Sequence, residues 1–343
     1  MSAAPIAPPD PAVIAAARLL SDGQAKPLGA LGGLEELGAW LAGCQGTCPP
    51  RQLGDVRVVV FAGDHGIAAS GVSAYPAAIT PAMVYGIAGG VAGISVLGAV
   101  NRVAVRIYDI AVDADFADLD PEVTRFKIRR GSGAIDVEDA LSRVEVEAAL
   151  AAGDRIAAEQ IQDGAQLLIA GDLGIGNTTI SAALIAATYR LPAAAVTGRG
   201  TGIDDAALAH KTDVIEAALA RAGERVADPV ERLAALGSAD IAAAVGFMLG
   251  AAGRGVPVLL DGLIAVAEAV VAASIDPGVV GWLRAGHRST EPGQSVALAR
   301  LGLVPLVDLG MRLGEGTGAV VAVPVLRSAV AALTDIAQLS DLT

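Results

Sequence analysis

The chain has 343 residues, 53% of them apolar and only 3% aromatic, with a formal net charge of −13. That is enough apolar material for one large core with a smaller appendage. So acidic a surface repels nucleic acid and anionic membranes, and the scarcity of aromatics removes any base-stacking platform. An anionic substrate must therefore be held locally, by backbone N–H groups and a few placed cations.

Residues 1–12 are rich in Pro and Ala and read as a flexible tail. Residues 13–43 carry helical periodicity, broken at Lys26-Pro27-Leu28-Gly29, and 13–50 are assigned to a small helical domain. Cys44 and Cys48 stand three residues apart with no second ligand pair. Two free thiols are the first reading and a metal or redox role the second. Neither a secretory signal nor a basic N-terminal region is visible. The uncharged run 74–100 is long enough to cross a bilayer. Pro76, Pro81 and Gly89-Gly90 interrupt it, however, and favour a buried turn and helix in a cytoplasmic protein.

From residue 51 onward, short apolar runs alternate with long Ala-rich stretches. Strands are expected at 57–62, 104–110, 166–170, 194–197 and 257–260. Helices are expected at 138–163, 178–189, 205–222 and 239–253. The alternation predicts an α/β fold: a Rossmann-like, doubly wound, mainly parallel sheet with helices on both faces. The large domain spans 51–310. Residues 311–343 supply a C-terminal loop and helix that complete the small domain. Ligands of such sheets sit beyond the carboxyl ends of the strands, so those loops are the place to look for chemistry.

Asp64-His65 follows the first strand and could orient a ligand, bind a metal, or form a capped turn. Only three histidines exist, without metal-ligand spacing, so no metal is called for. Gly171-Asp172-Leu173-Gly174-Ile175-Gly176-Asn177-Thr178-Thr179 follows the third strand and opens a helix. Its glycines and free N–H groups suit an anion, and Asn177, Thr178 and Thr179 can cap the helix. It matches neither the Walker loop nor the dinucleotide fingerprint, which counts against an NAD-dependent dehydrogenase.

A second glycine turn, 198–202, ends in the capping acid Asp204. Lys211 in the helix beyond would be the counter-ion of a nearby phosphate. Asp261 ends the strand PVLL, where a carboxylate can bind a ribose hydroxyl or orient another group. Gly286-His287-Arg288-Ser289 is a polar loop. Glu315, in Arg312-Leu313-Gly314-Glu315-Gly316, lies between two apolar runs. Desolvation would raise its pKa and fit it for general-base work; a solvated turn acid is the equal alternative.

Taken in order, FAGDHG with GVSAYP, GDLGIGNTT, GRGTGIDD, GFMLGAAGRGVPVLLDG, GHRSTEPG and RLGEGTGA resemble the nicotinate-nucleotide–dimethylbenzimidazole phosphoribosyltransferase family. The resemblance runs from about Lys26 to the C-terminus. It implies transfer of phosphoribose from nicotinate mononucleotide to 5,6-dimethylbenzimidazole, giving α-ribazole 5′-phosphate and nicotinate, for the lower ligand of cobalamin. It further implies a homodimer with no cofactor, and one in-line displacement, because the glycosidic carbon passes from β to α.

By motif, Glu315 is the implied base. Gly174, Ile175, Gly176, Asn177 and Lys211 are implied phosphate ligands, and Asp261 and Ser289 line the nucleotide site. Asp64 and His65 join the substrate-binding set. Tyr75 and Met83, around Thr80, belong to the segment facing the acceptor base. Asp172 stands where many members have Glu and is the carboxylate expected to steady charge at the ribosyl carbon. KPLGALGGLE is a looser form of the family's KPPGSLGRLE. Two alternatives stand beside this reading: transfer to another base such as adenine or a phenol, and a nucleotide-binding regulator that has lost catalysis.

Overall fold

The structure is a computed structural model, and it describes residues 5–342. In chain order the strands are β1 (Val56–Gly63), β2 (Ala104–Ala111), β3 (Leu167–Leu173), β4 (Val258–Leu260), β5 (Leu283–His287) and β6 (Pro305–Val307). The first six helices are α1 (Pro11–Asp22), α2 (Gly33–Gln45), α3 (Ile79–Ala88), α4 (Gly93–Val100), α5 (Arg143–Gln162) and α6 (Asn177–Tyr189). They are followed by α7 (Asp205–Ala222), α8 (Pro229–Leu236), α9 (Ala239–Gly253), α10 (Leu263–Ile275), α11 (Pro292–Leu301) and α12 (Thr317–Asp335).

The strands form one parallel sheet in the order β2-β1-β3-β4-β5-β6. The chain starts near the middle, runs to one edge and then winds to the other, which is the doubly wound pattern expected. Alternation along β1 sorts the two faces. Phe61 meets Phe247 of α9 edge-on, with ring centroids 5.4 Å apart. Val58, of opposite parity, faces Gly316 at the start of α12. So α9 and the start of α12 cover opposite faces.

Helix α9 is buried on every side, because α5 packs along its outer surface. Glycines allow that approach: a methyl on Gly153 would overlap the Ala243 carbonyl, and one on Gly246 would overlap that of Leu150. This explains the Ala- and Gly-rich composition. Two helices can approach this closely only when their facing side chains are small. The capping box of Ser142 and Glu145 starts α5 at Arg143, so 138–142 precede the helix.

The expected strand 194–197 is instead a 3₁₀ turn over Ala193–Ala195, set by Pro192 and closed by Thr197 Oγ1 donating to the Ala193 carbonyl. Strands β5 and β6 were not expected. Arg284 and Gly286 break the apolar run of β5, and β6 is a three-residue edge strand that opens on proline, the one place a strand tolerates it.

Helices α1 and α2 pack on the C-terminal half of α12 around Ala17, Ala39, Ala42 and Leu333. Gln24 Nε2 ties the turn after α1 to the Ala332 and Leu333 carbonyls. The N-terminal half of α12 lies on β5, so this one helix joins both units. The expected loose tail is held where it is described: Ile6 N–H donates to Asp276 at 2.8 Å and the Ala7 carbonyl accepts from Trp282 Nε1 at 2.8 Å. Residues 1–4 of that tail lie outside the described residues.

Segment 74–100 forms α3 and α4 with a break at Gly89-Gly90. It was expected to be buried. Its inner residues are, but Val91 and Val100 are 78% and 77% exposed because no other element among the described residues covers them. Cys44 is buried and Cys48 half-buried, and both are free thiols.

Candidate active site

A cavity of about 840 Å³, including its open mouth, lies beyond the carboxyl ends of β3, β4 and β5. The position is where a doubly wound sheet leaves a crevice. Two glycine loops far apart in the sequence form its working walls.

The first loop links β3 to α6. Gly176 adopts a left-handed φ of 101°, which turns the chain into the helix. No side chain caps α6. The expected caps are used elsewhere: Asn177 Nδ2 donates to Asp172 Oδ1 at 2.7 Å, and Thr178 Oγ1 accepts from Lys211 Nζ at 2.8 Å. The N–H groups of Gly176 and Thr178 have no protein acceptor, whereas that of Ile175 donates to Thr80 Oγ1. Two free donors at a helix N-terminus, lining a cavity, are the arrangement that suits an anion.

Lys211 stands behind this loop, only 1% exposed, with a second bond to the Gly198 carbonyl. Burial lowers its pKa to about 8, against the pull of Glu291. It does not line the cavity itself and touches the loop through Thr178.

The second loop precedes α12. Gly314, Glu315 and Gly316 all have left-handed φ angles, of 83°, 62° and 93°. For Glu315 that is a strained backbone, and such strain persists only where the surroundings fix it. Asp261, at the end of β4, does the fixing. Its Oδ2 accepts from Gly316 N–H at 3.1 Å and its Oδ1 from Ala319 N–H at 3.0 Å. Behind it stands His287, 3.4 Å away. Both oxygens of Asp261 are thus occupied by backbone. Of its two expected roles, orienting another group is the one these bonds show, and the carboxyl also lines the cavity.

Glu315 lines the cavity yet is only 5% exposed. Burial raises its pKa, against a hydrogen bond from Ile94 N–H at the start of α4, and the nearby Asp261 charge adds to the rise. A carboxyl so placed takes up a proton more readily than a solvated one, and its burial favours the desolvated setting over the solvated turn acid. Asp172 faces the same cavity. Burial raises its pKa well above the usual range, reinforced by the Asp240 and Glu268 charges. Asn177 holds one of its oxygens, and the other has no partner.

Of the other expected residues, Ser289 lines the cavity, its N–H held by Gln294. Four do not reach it. Asp64 lines a separate depression with its Oδ2 accepting from Asp113 N–H, and the His65 side chain is fully buried. Tyr75 is exposed at the start of the α3 segment and Met83 packs against the core. Two charged cavity residues, Glu291 and Arg312, were not among the expected ones, and Thr178 was expected only as a cap. Glu291 Oε1 accepts from Gly200 N–H at 2.8 Å. Arg312 donates to the Gly200 carbonyl and is the one cation lining the cavity among the described residues. Thr178 links Lys211 to the loop. Only Arg312 carried a signal, as the sole cation beside the Glu315 loop.

An anion-binding helix start and two desolvated carboxyls at the crevice of a doubly wound sheet define a nucleotide-binding enzyme equipped for proton transfer. A family model described as a phosphoribosyltransferase matches residues 6–342. The chain is 53% identical over 338 residues to the nicotinate-nucleotide–dimethylbenzimidazole phosphoribosyltransferase of Mycobacterium marinum, covering 98% of this chain and 94% of the relative. It is 54% identical to that of Mycobacterium tuberculosis, covering 98% and 93%. The crystal structure of CobT from Thermus thermophilus superposes with a TM-score of 0.92 at 42% identity, covering 97% of this chain and 98% of that one. The chain belongs to the nicotinate-nucleotide–dimethylbenzimidazole phosphoribosyltransferase family.

Proposed function

We propose that this chain transfers phosphoribose from nicotinate mononucleotide to 5,6-dimethylbenzimidazole, releasing nicotinate and forming α-ribazole 5′-phosphate. The observation that carries the reading is the placement of the Gly176 and Thr178 N–H donors and the desolvated Glu315 carboxyl on one cavity. The donors hold the 5′-phosphate. Glu315 takes the azole proton as the ring nitrogen attacks the ribosyl carbon, and the pyridinium leaves as neutral-ring nicotinate. Asp172, on the same wall, steadies the positive charge at that carbon. The cationic substrate favours the ionised form of both carboxyls.

Tyr75 and Met83 lie off the cavity, so the acceptor base is the open element of this reading. Nicotinate mononucleotide should release nicotinate only when a base is added, and chromatography with a mixture of benzimidazole, adenine and phenol acceptors reads out the preferred one. Release at equal rate without acceptor would refute the transfer. A pocket with no turnover at all would favour the regulator.

We also propose a cytoplasmic homodimer with the small helical unit formed by α1, α2 and the end of α12. The uncovered apolar residues of α3 and α4 support a second copy as their cover. Sedimentation at micromolar concentration tests it.

A further inference from the structure

Behind the α6 loop lies a buried ion pair that the reaction itself does not use. His65 follows β1, and both of its ring nitrogens are engaged. Nε2 stands 3.0 Å from Asp240 Oδ2 of α9 and Nδ1 stands 3.1 Å from the Ile175 carbonyl. Both side chains of the pair are fully buried. A carbonyl oxygen only accepts, so Nδ1 must carry a proton. A carboxylate also only accepts, so Nε2 must carry one as well. A neutral imidazole facing a protonated Asp240 would meet the same two contacts, but the His65 charge and hydrogen bond hold the Asp240 carboxyl below its usual range against the effect of burial, so the pair is an imidazolium facing a carboxylate.

The Ile175 carbonyl belongs to the peptide that ends in the Gly176 N–H. A trans peptide is planar, and its C=O and N–H point to opposite sides. Fixing the carbonyl against His65 therefore turns the Gly176 N–H away from His65, and that N–H is one of the two free donors of the loop. The approach leaves no slack: a methyl on Gly174 would collide with the His65 ring. We infer that His65, held as an imidazolium by Asp240, is a positioning residue that aims the Gly176 N–H at the phosphate of the substrate. This rests on the reading of the α6 loop as a phosphate site.

The charged groups facing the imidazole are Asp240 from α9 and Asp172 from β3. Burial alone would lower its pKa, and these two carboxylates reverse that and push it up to about 9. In the Asp240→Asn variant the counter-charge is gone and a neutral imidazole results, with one proton for two acceptors. Only then does the aim of the loop depend on pH in the neutral range.

The test combines ¹⁵N-histidine NMR with kinetics of Asp240→Asn. The wild-type protein should show His65 doubly protonated from pH 6 to 8. The variant should show it neutral at pH 8, with KM for nicotinate mononucleotide raised about tenfold, kcat little changed, and KM recovering toward pH 6. A neutral His65 in the wild type at pH 7, or a variant KM equal to wild type at every pH, would overturn the inference. Nicotinate riboside, which lacks the phosphate, separates the two layers. Its KM should not respond to the substitution. A doubly protonated His65 with equal KM losses for both substrates would leave the ion pair standing and remove the phosphate reading of the loop.

Discussion

The two walls of the cavity use the same pair of residue types in opposite order. Behind the α12 loop, Asp261 touches the backbone and His287 stands behind it. Behind the α6 loop, His65 touches the backbone and Asp240 stands behind it. The difference follows from what each wall must present. Asp261 accepts the helix-start N–H groups of α12, so that end presents the Glu315 side chain. His65 donates to a carbonyl of the α6 loop, so that end keeps its N–H groups free. One wall presents a carboxyl side chain, the other free N–H groups.

The comparison breaks most visibly at Glu315. Glu315→Gln removes the proton acceptor and leaves the anion wall intact, so kcat should fall by about 10² to 10⁴ with nucleotide affinity unchanged. Steady-state rates beside calorimetric binding separate the two. Gly316→Ala attacks the scaffold of the same wall. It forces a side chain into a φ of 93° and against Val58, at an expected cost of about 1–3 kcal/mol in unfolding free energy, read from denaturant midpoints.

Asp261→Asn leaves one acceptor where two N–H groups need one each. The start of α12 should lose about 1 kcal/mol, and kcat should fall further than that loss explains because Glu315 is no longer fixed. Thermal melts and kcat measured together check it. The smallest effect is on pH. His65 titrates near 6.5 when unfolded and about 9 when folded. Its contribution is complete below pH 6.5 and is lost as the pH rises toward 9. Lys211, lowered to about 8, acts in the opposite sense above that pH. Between pH 6.5 and 8, unfolding free energy should therefore decline by about 1 kcal/mol, and the decline should vanish in Asp240→Asn.

The sheet was readable because β1, β2 and β3 are seven or eight residues long and mostly apolar, despite Arg57, Arg106, Asp109 and Asp172 within them. Strand β6 was not, since three residues that begin at Pro305 carry no periodicity. The α6 and α12 loops were readable from glycines that permit left-handed turns at Gly176, Gly314 and Gly316. The roles of residues between those turns were harder to read. Asp261 looked like a ligand group because it ends a strand, but only the fold shows its oxygens taken by α12, more than fifty residues away. His65 looked like a site residue for the same reason, and only the packing of α9 shows Asp240 closing it off. Long-range partners of buried polar groups leave no local pattern.

The account's central claim is a single displacement at the ribosyl carbon, with Glu315 as base and no covalent enzyme intermediate. The direct measurement is the anomeric configuration of the ribotide formed from β-nicotinate mononucleotide and 5,6-dimethylbenzimidazole, read by proton NMR of the purified product. The account predicts the α anomer alone. A β product would require two displacements and an enzyme nucleophile, and would contradict it.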